Sequence, residues 1–185
     1  VYGAAVRIAV FGPVGESESA LDRAVALAFG TLLCDRVVFL GQPELVSSRQ
    51  PEAGLDEETL WLKSLRCLDA DADVIDRFVA SERHKLDWAR VELLGDGQSS
   101  SVALSGGRRL LVCASDRAST TADARVVVFR SDGDRGHSSE RRGDGLWLSP
   151  GNLDHAGIVL VSDEGELSVA VYDARGQELD RNVLS

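Results

Sequence analysis

Two short β-branched runs bracket a helical repeat near the start of the chain, and this arrangement restricts the fold more than any other feature. Val6-Arg7-Ile8-Ala9-Val10-Phe11 is almost continuously apolar and stops at Gly12-Pro13, which predicts a buried strand. Behind Ser17 and Ser19, which suit a helix cap, Leu21, Ala24, Val25, Ala28 and Leu32 recur at helical spacing. Arg36-Val37-Val38-Phe39-Leu40 is a second apolar run, closed by Gly41. Strand, helix and strand in this order make a βαβ unit, with a parallel pair and a right-handed crossover.

Residues 43–56 are polar and contain Pro51 and Gly54, so a long loop is expected there. Leu60, Trp61, Leu65 and Leu68 give a helical stripe that Asp69, Asp71 and Asp73 interrupt before Ile75, Phe78 and Val79 resume it. Carboxylates two residues apart do not share a helical face, so the acidic triplet reads as a solvated helix junction and not as a metal site. After residue 90 the pattern turns to strands: Val91–Leu94, Ser101–Leu104, Arg109–Cys113, Arg125–Phe129 and Leu146–Leu148. Gly157–Val161 and Leu167–Tyr172 flank Asp163-Glu164-Gly165-Glu166, a hairpin signature. The expectation is one α/β domain spanning residues 1–185, helical in its first half and mostly β in its second.

The chain carries 30 acidic residues against 20 Lys and Arg, a net charge of -10, which speaks against a nucleic-acid partner. No apolar run is long enough to cross a membrane, and no secretory leader is visible. Cys34, Cys67 and Cys113 lie apart in apolar stretches, which predicts three buried thiols in a reducing, cytoplasmic setting. The absence of Met suggests a module trimmed or cut from a longer protein, and 18 Arg against two Lys suggests a bacterial coding sequence. The segment from Gly12 to Ser19 sits where a nucleotide-binding loop would, but Ser17 and Glu18 stand where that loop needs Gly and Lys. Glu18 would turn a negative charge toward the phosphates. No Gly-x-Ser-x-Gly elbow is present, and His84, His137 and His155 fall in unrelated segments.

Taken together, Arg7–Gly15, Asp35–Val46 and Leu146–Tyr172 resemble the calcineurin-like metallophosphoesterase superfamily, in its small bacterial phosphodiesterase branch. Asp35-Arg36-Val37-Val38-Phe39-Leu40-Gly41-Gln42 resembles that family's second strand, and Ser149-Pro150-Gly151-Asn152 its Asn-Pro-Gly-Ser segment before a terminal hairpin. The resemblance implies a four-layer α-β-β-α sandwich of two packed mixed β-sheets. It also implies where two metal ions would sit, and there the chain departs from the pattern. The family's Asp-x-His falls on Pro13 and Gly15, its bridging Asp on Gln42, and its Gly-Asn-His on Gly95-Asp96-Gly97. A strand-end His falls near Cys113, and the Gly-His-x-His falls on Arg130-Ser131-Asp132-Gly133.

A two-metal site lowers the pKa of a bound water and clamps both oxygens of a phosphoryl displacement, which takes several ligands per ion. Pro13, Gly15 and Gly97 offer no side-chain donor, and Gln42 is a poor bridge between cations. The resemblance therefore implies a phosphoesterase-like pseudoenzyme with no catalytic residue, no metal and no cofactor. Its role would be protein binding or scaffolding, as in a retromer subunit of that superfamily, toward a separate protein or the remainder of a larger polypeptide. The alternative is a manganese- or zinc-dependent phosphodiesterase with a rearranged site of Asp96, Asp132, His137 and Asp154. His137 otherwise reads as a loop residue, His155 as a surface residue at the rim of the old pocket, and His84 as a solvated helix residue. Trp61 and Trp147 fit a core, whereas Trp88, in a polar stretch, is the candidate interaction anchor.

Overall fold

The computed structural model describes residues 6–50, 57–65, 67–68, 70–115, 124–131 and 136–184. The expected βαβ unit is present as β1 (Arg7–Phe11), α1 (Ser19–Gly30) and β2 (Arg36–Phe39), with β1 and β2 parallel. Two short helices, α2 (Pro43–Ser47) and α3 (Glu57–Leu65), lead into α4 (Ala72–Ala89), which returns the chain to β3 (Val91–Leu93), parallel to β2. The chain then builds a second sheet from β4 (Ser99–Ala103), β5 (Arg109–Cys113), β6 (Val126–Phe129), β7 (Ser138–Arg142) and β8 (Gly145–Ser149). It finally recrosses to the first sheet with β9 (Ile158–Ser162), β10 (Leu167–Tyr172) and β11 (Glu178–Leu184).

The sheet orders are β11-β10-β9-β1-β2-β3 and β4-β5-β6-β8-β7, and each mixes parallel with antiparallel neighbours. Alternation along each strand divides the core. Ile8 and Val10 of β1, Val112 of β5, Val128 of β6 and Val161 of β9 meet between the sheets. The intervening Ala9, Phe11, Val37 and Phe39 face Leu21, Ala24 and Val25 of α1 and Trp88 of α4. A strand buried on both faces must be apolar at nearly every position, which is why β1 and β2 read so plainly. The outer face of the second sheet gathers Leu111, Cys113 and Val127, with Ala124, Phe129 and Trp147 packed against them. This is an α/β fold of two mixed sheets flanked by helices, as the resemblance implies. Among the described residues no helix is long and apolar enough to cross a membrane.

Several local expectations are corrected. The start of the supposed loop at 43–56 is helical, because Pro43 occupies the first helical turn, where its missing N–H costs nothing and its fixed φ suits a helix. Strands β7 and β11 were not visible in the sequence: both are polar edge strands, and every residue of β7 is exposed. Cys34 and Cys113 are buried as expected, but Cys67 is only half-buried. Trp88 is not a surface anchor. It is fully buried, its indole N–H lacks a hydrogen-bond partner, and the Arg49 guanidinium lies 5.6 Å from its ring centre. Trp61 is the exposed tryptophan, at 65%, while Trp147 is half-buried under the Arg142 guanidinium, 4.5 Å from its ring centre. Asp71 takes the N-cap position of α4 and Asp73 its first turn, which fits the helix junction; Asp69 lies outside the described residues.

Candidate functional site

The parallel strands β1, β2 and β3 all end at one edge of the first sheet, and loops at strand carboxyl ends are where α/β sheets collect ligands. Gly12 leaves β1 with its N–H donating to Gly157 O at 2.8 Å, and Pro13 O accepts from Leu153 N at 3.0 Å. The loop of residues 150–157 is thereby pressed against the exit of β1. Gly15 fits beneath it only because it has no side chain: a Cβ there would overlap Asp154 Oδ2 and lie 2.5 Å from Asn152 Nδ2. Asp154 Oδ2 is itself held by the Glu16 N–H at 2.6 Å. Gln42, at the N-cap position of α2, donates from Nε2 to Val14 O at 3.2 Å and so closes the second strand's loop onto the first.

Asp96 and Gly97 form the turn after β3, with Gly97 at φ 74°. The Asp96 carboxylate is exposed and pairs with Arg130, the residue after β6, at 2.6 Å from Oδ1 to Nη1. This ion pair ties the β3–β4 loop to the end of β6. Arg130 had no assigned role in the sequence; its signal was its place directly behind an apolar strand. Cys113 ends β5, but its side chain belongs to the outer cluster with Leu111 and Val127, and burial pushes its thiol pKa up. Ser131 is half-buried behind β6, and Asp132 and Gly133 lie outside the described residues. His137 is half-buried just before β7, with its backbone N against Gly151, whose φ of 74° suits glycine.

Beside this edge lies a polar cleft of about 720 Å³ between the Gly15–Ser17 loop, the 152–155 segment and the turn after β10. Arg23, Arg175 and His155 reach it from three elements, and two of its carboxylates, Asp154 and Asp173, accept from backbone N–H groups. Asp173 Oδ1 accepts from Arg175 N at 2.9 Å and from Gln177 N at 2.8 Å. His155 is exposed and lines this cleft. Arg23 and Arg175 went unnoticed in the sequence, since nothing there brings α1 and the β10–β11 turn together. In the Gly12–Ser19 segment Glu18, and not Ser17 or Ser19, takes the N-cap position of α1, without a side-chain capping hydrogen bond, and it turns toward Arg49, 3.6 Å away.

No family model matches the chain, and no curated protein matches it. Solved structures do. A conserved protein of Streptococcus pneumoniae described as a predicted phosphoesterase superposes with a TM-score of 0.53 at 12% identity, over 97% of this chain and 98% of that one. Vps29 of Entamoeba histolytica, in complex with zinc, gives 0.52 at 11% identity, over 97% and 99%. The chain has the phosphoesterase fold. At these identities the likeness is one of architecture.

Within the phosphoesterase fold, the described strand-end residues offer few side-chain ligands. Pro13 and Gly15 bring no side-chain donor, the Gln42 amide is engaged with backbone, the Cys113 side chain belongs to the outer cluster and Asp96 pairs with a guanidinium. Among the described residues no three His, Cys, Asp or Glu side chains are grouped as metal ligands would be.

Proposed function

We propose that this chain is a non-catalytic protein of the phosphoesterase fold that acts in the cytoplasm as a protein-binding or scaffolding module. The observation that carries the reading is the Arg130–Asp96 ion pair. Of the described positions that correspond to metal ligands in the resembling family, Asp96 is the sole carboxylate, and it pairs with the Arg130 guanidinium. A divalent ion arriving there would meet Arg130 Nη1 2.6 Å from Asp96 Oδ1 and would have to find most of its oxygens elsewhere. Three free thiols agree with a reducing compartment. An exposed apolar surface on α3 and α4 gives the scaffold something to bind with.

The test is calorimetric titration with Mn²⁺ and with Zn²⁺, the ion bound to the similar Entamoeba protein, beside hydrolysis of bis(p-nitrophenyl) phosphate. The expected outcome is no saturable heat and no metal-dependent hydrolysis. Two ions bound per chain, with manganese-dependent turnover abolished by Asp96→Asn and His137→Ala, would overturn the reading. That result would establish a phosphodiesterase with a site rearranged around Asp96, Asp132, His137 and Asp154.

A further inference from the structure

Helix α4 is amphipathic in the wrong direction for a helix that serves only the core of its own chain. Its one buried residue is Trp88. On the other side Ile75, Phe78, Val79, Glu82 and Leu86 recur at i, i+3, i+4, i+7 and i+11, which is one continuous helical stripe. Val79 is 52% and Leu86 53% exposed. The stripe floors a groove of about 410 Å³ with Phe78, Val79 and Leu86 at its base and Glu82, Arg83 and Arg90 on its rim. Trp61 and Leu62 of α3 are exposed as well.

The charges along α4 say what fits this stripe. Its first half carries Asp71, Asp73 and Asp76 against Arg77, and its end carries Arg83, Lys85 and Arg90 against Glu82 and Asp87. The helix is therefore acidic at one end and basic at the other, which is the pattern that complements itself when two copies lie antiparallel. We propose that this face docks a second copy of the chain, α4 against α4 about a two-fold axis. The inference deepens the binding-module reading by naming the partner.

An axis crossing α4 between Ala80 and Ser81 sets Ile75 against Leu86 of the second copy. It also brings Asp76 alongside Arg83 on one edge of the seam, and each pairing occurs twice by symmetry. Neither Asp76 nor Arg83 has an ion pair within the chain among the described residues. Glu82, which falls in the seam, enters it already neutralised by Lys85 at 2.6 Å.

Sedimentation velocity over a concentration series tests the proposal. The 19.8 kDa chain is expected to reach twice that mass in a reversible equilibrium. Asp76→Arg places like charges at both symmetry-related pairings and weakens association about tenfold, and the swap Asp76→Arg with Arg83→Asp restores it. All these positions are solvent-facing, so circular dichroism of each variant should match the parent. A chain that stays monomeric up to ~100 µM overturns the inference, since weaker association lies outside the range of specific dimers. A dimer indifferent to both Asp76→Arg and Leu86→Glu also overturns it, because the contact then lies elsewhere. Either failure leaves the metal titration unaffected, so the dimer can fall while the non-catalytic reading stands.

Discussion

Arg108 Nη2 lies 3.1 Å from Asp163 Oδ1 and joins the two sheets at the edge opposite the strand-end loops. Asp163, in the β9–β10 turn, has a side chain only 1% exposed, and it also accepts from Ser105 Oγ at 2.7 Å and from the Ser105 N–H. Arg108 is partly open to water, so the two partners are not equivalent. Losing the guanidinium strands a buried carboxylate, whereas losing the carboxylate leaves a cation that solvent can reach.

Arg108→Met is accordingly expected to cost about 3 kcal/mol of stability, and Asp163→Asn about half of that. Urea denaturation of the three proteins measures both. An Arg108→Met cost below that of Asp163→Asn would mean that Asp163 draws its stability from Ser105 and not from Arg108.

Leu33 follows α1 at φ 51° and is 63% exposed, so it bears left-handed strain without gaining burial. Leu33→Gly removes the Cβ clash and loses almost no packing. It should stabilise the chain by about 0.5–1 kcal/mol, the steric relief less the greater unfolded-chain entropy of glycine. The midpoint of thermal unfolding should rise, and a fall would show that the Leu33 side chain makes a contact worth more than the strain.

Burial pushes the Cys34 thiol up to about 12 from an ordinary 9.0. Between those values the folded chain keeps a proton that the unfolded chain releases. The Cys34 contribution is thus intact below pH 9 and is lost as pH climbs toward 12. In the native protein at pH 8, an aromatic disulfide reagent should titrate Cys67 alone, and all three thiols should react in denaturant.

Glu178 is held at about 2, first by its hydrogen bond from Arg181 and then by that from Tyr172. Its stabilising effect is present above the ordinary value of 4.5 and disappears as pH falls through 2. The carboxylate is well exposed, so water and salt screen much of the gain. Glu178→Gln should flatten the acid limb of the stability profile slightly and leave stability at pH 9 less affected by salt.

The legibility of this fold follows burial. β1, β2 and the β9–β10 hairpin are apolar on both faces because each lies between a helical layer or neighbouring strands and the other sheet. Their sequences leave no other reading. β7 and β11 are edge strands whose existence depends on the free hydrogen-bonding edges of β8 and β10. Ser138-Ser139-Glu140-Arg141-Arg142 contains no sign of them. Trp88 misled for a related reason: its polar neighbours face solvent on α4, while one turn of helix rotates its ring into the core.

At the strand ends, residue identity alone established that Pro13, Gly15 and Gly97 bring no side-chain donor, since that is a matter of covalent structure. Periodicity likewise established the βαβ start and the terminal hairpin. Only the tertiary structure decided that Arg130 meets Asp96, that the Cys113 thiol faces outward and that the apolar stripe of α4 is uncovered. Each of these depends on the orientation of one element relative to another distant in the chain, and local spacing carries no information about that.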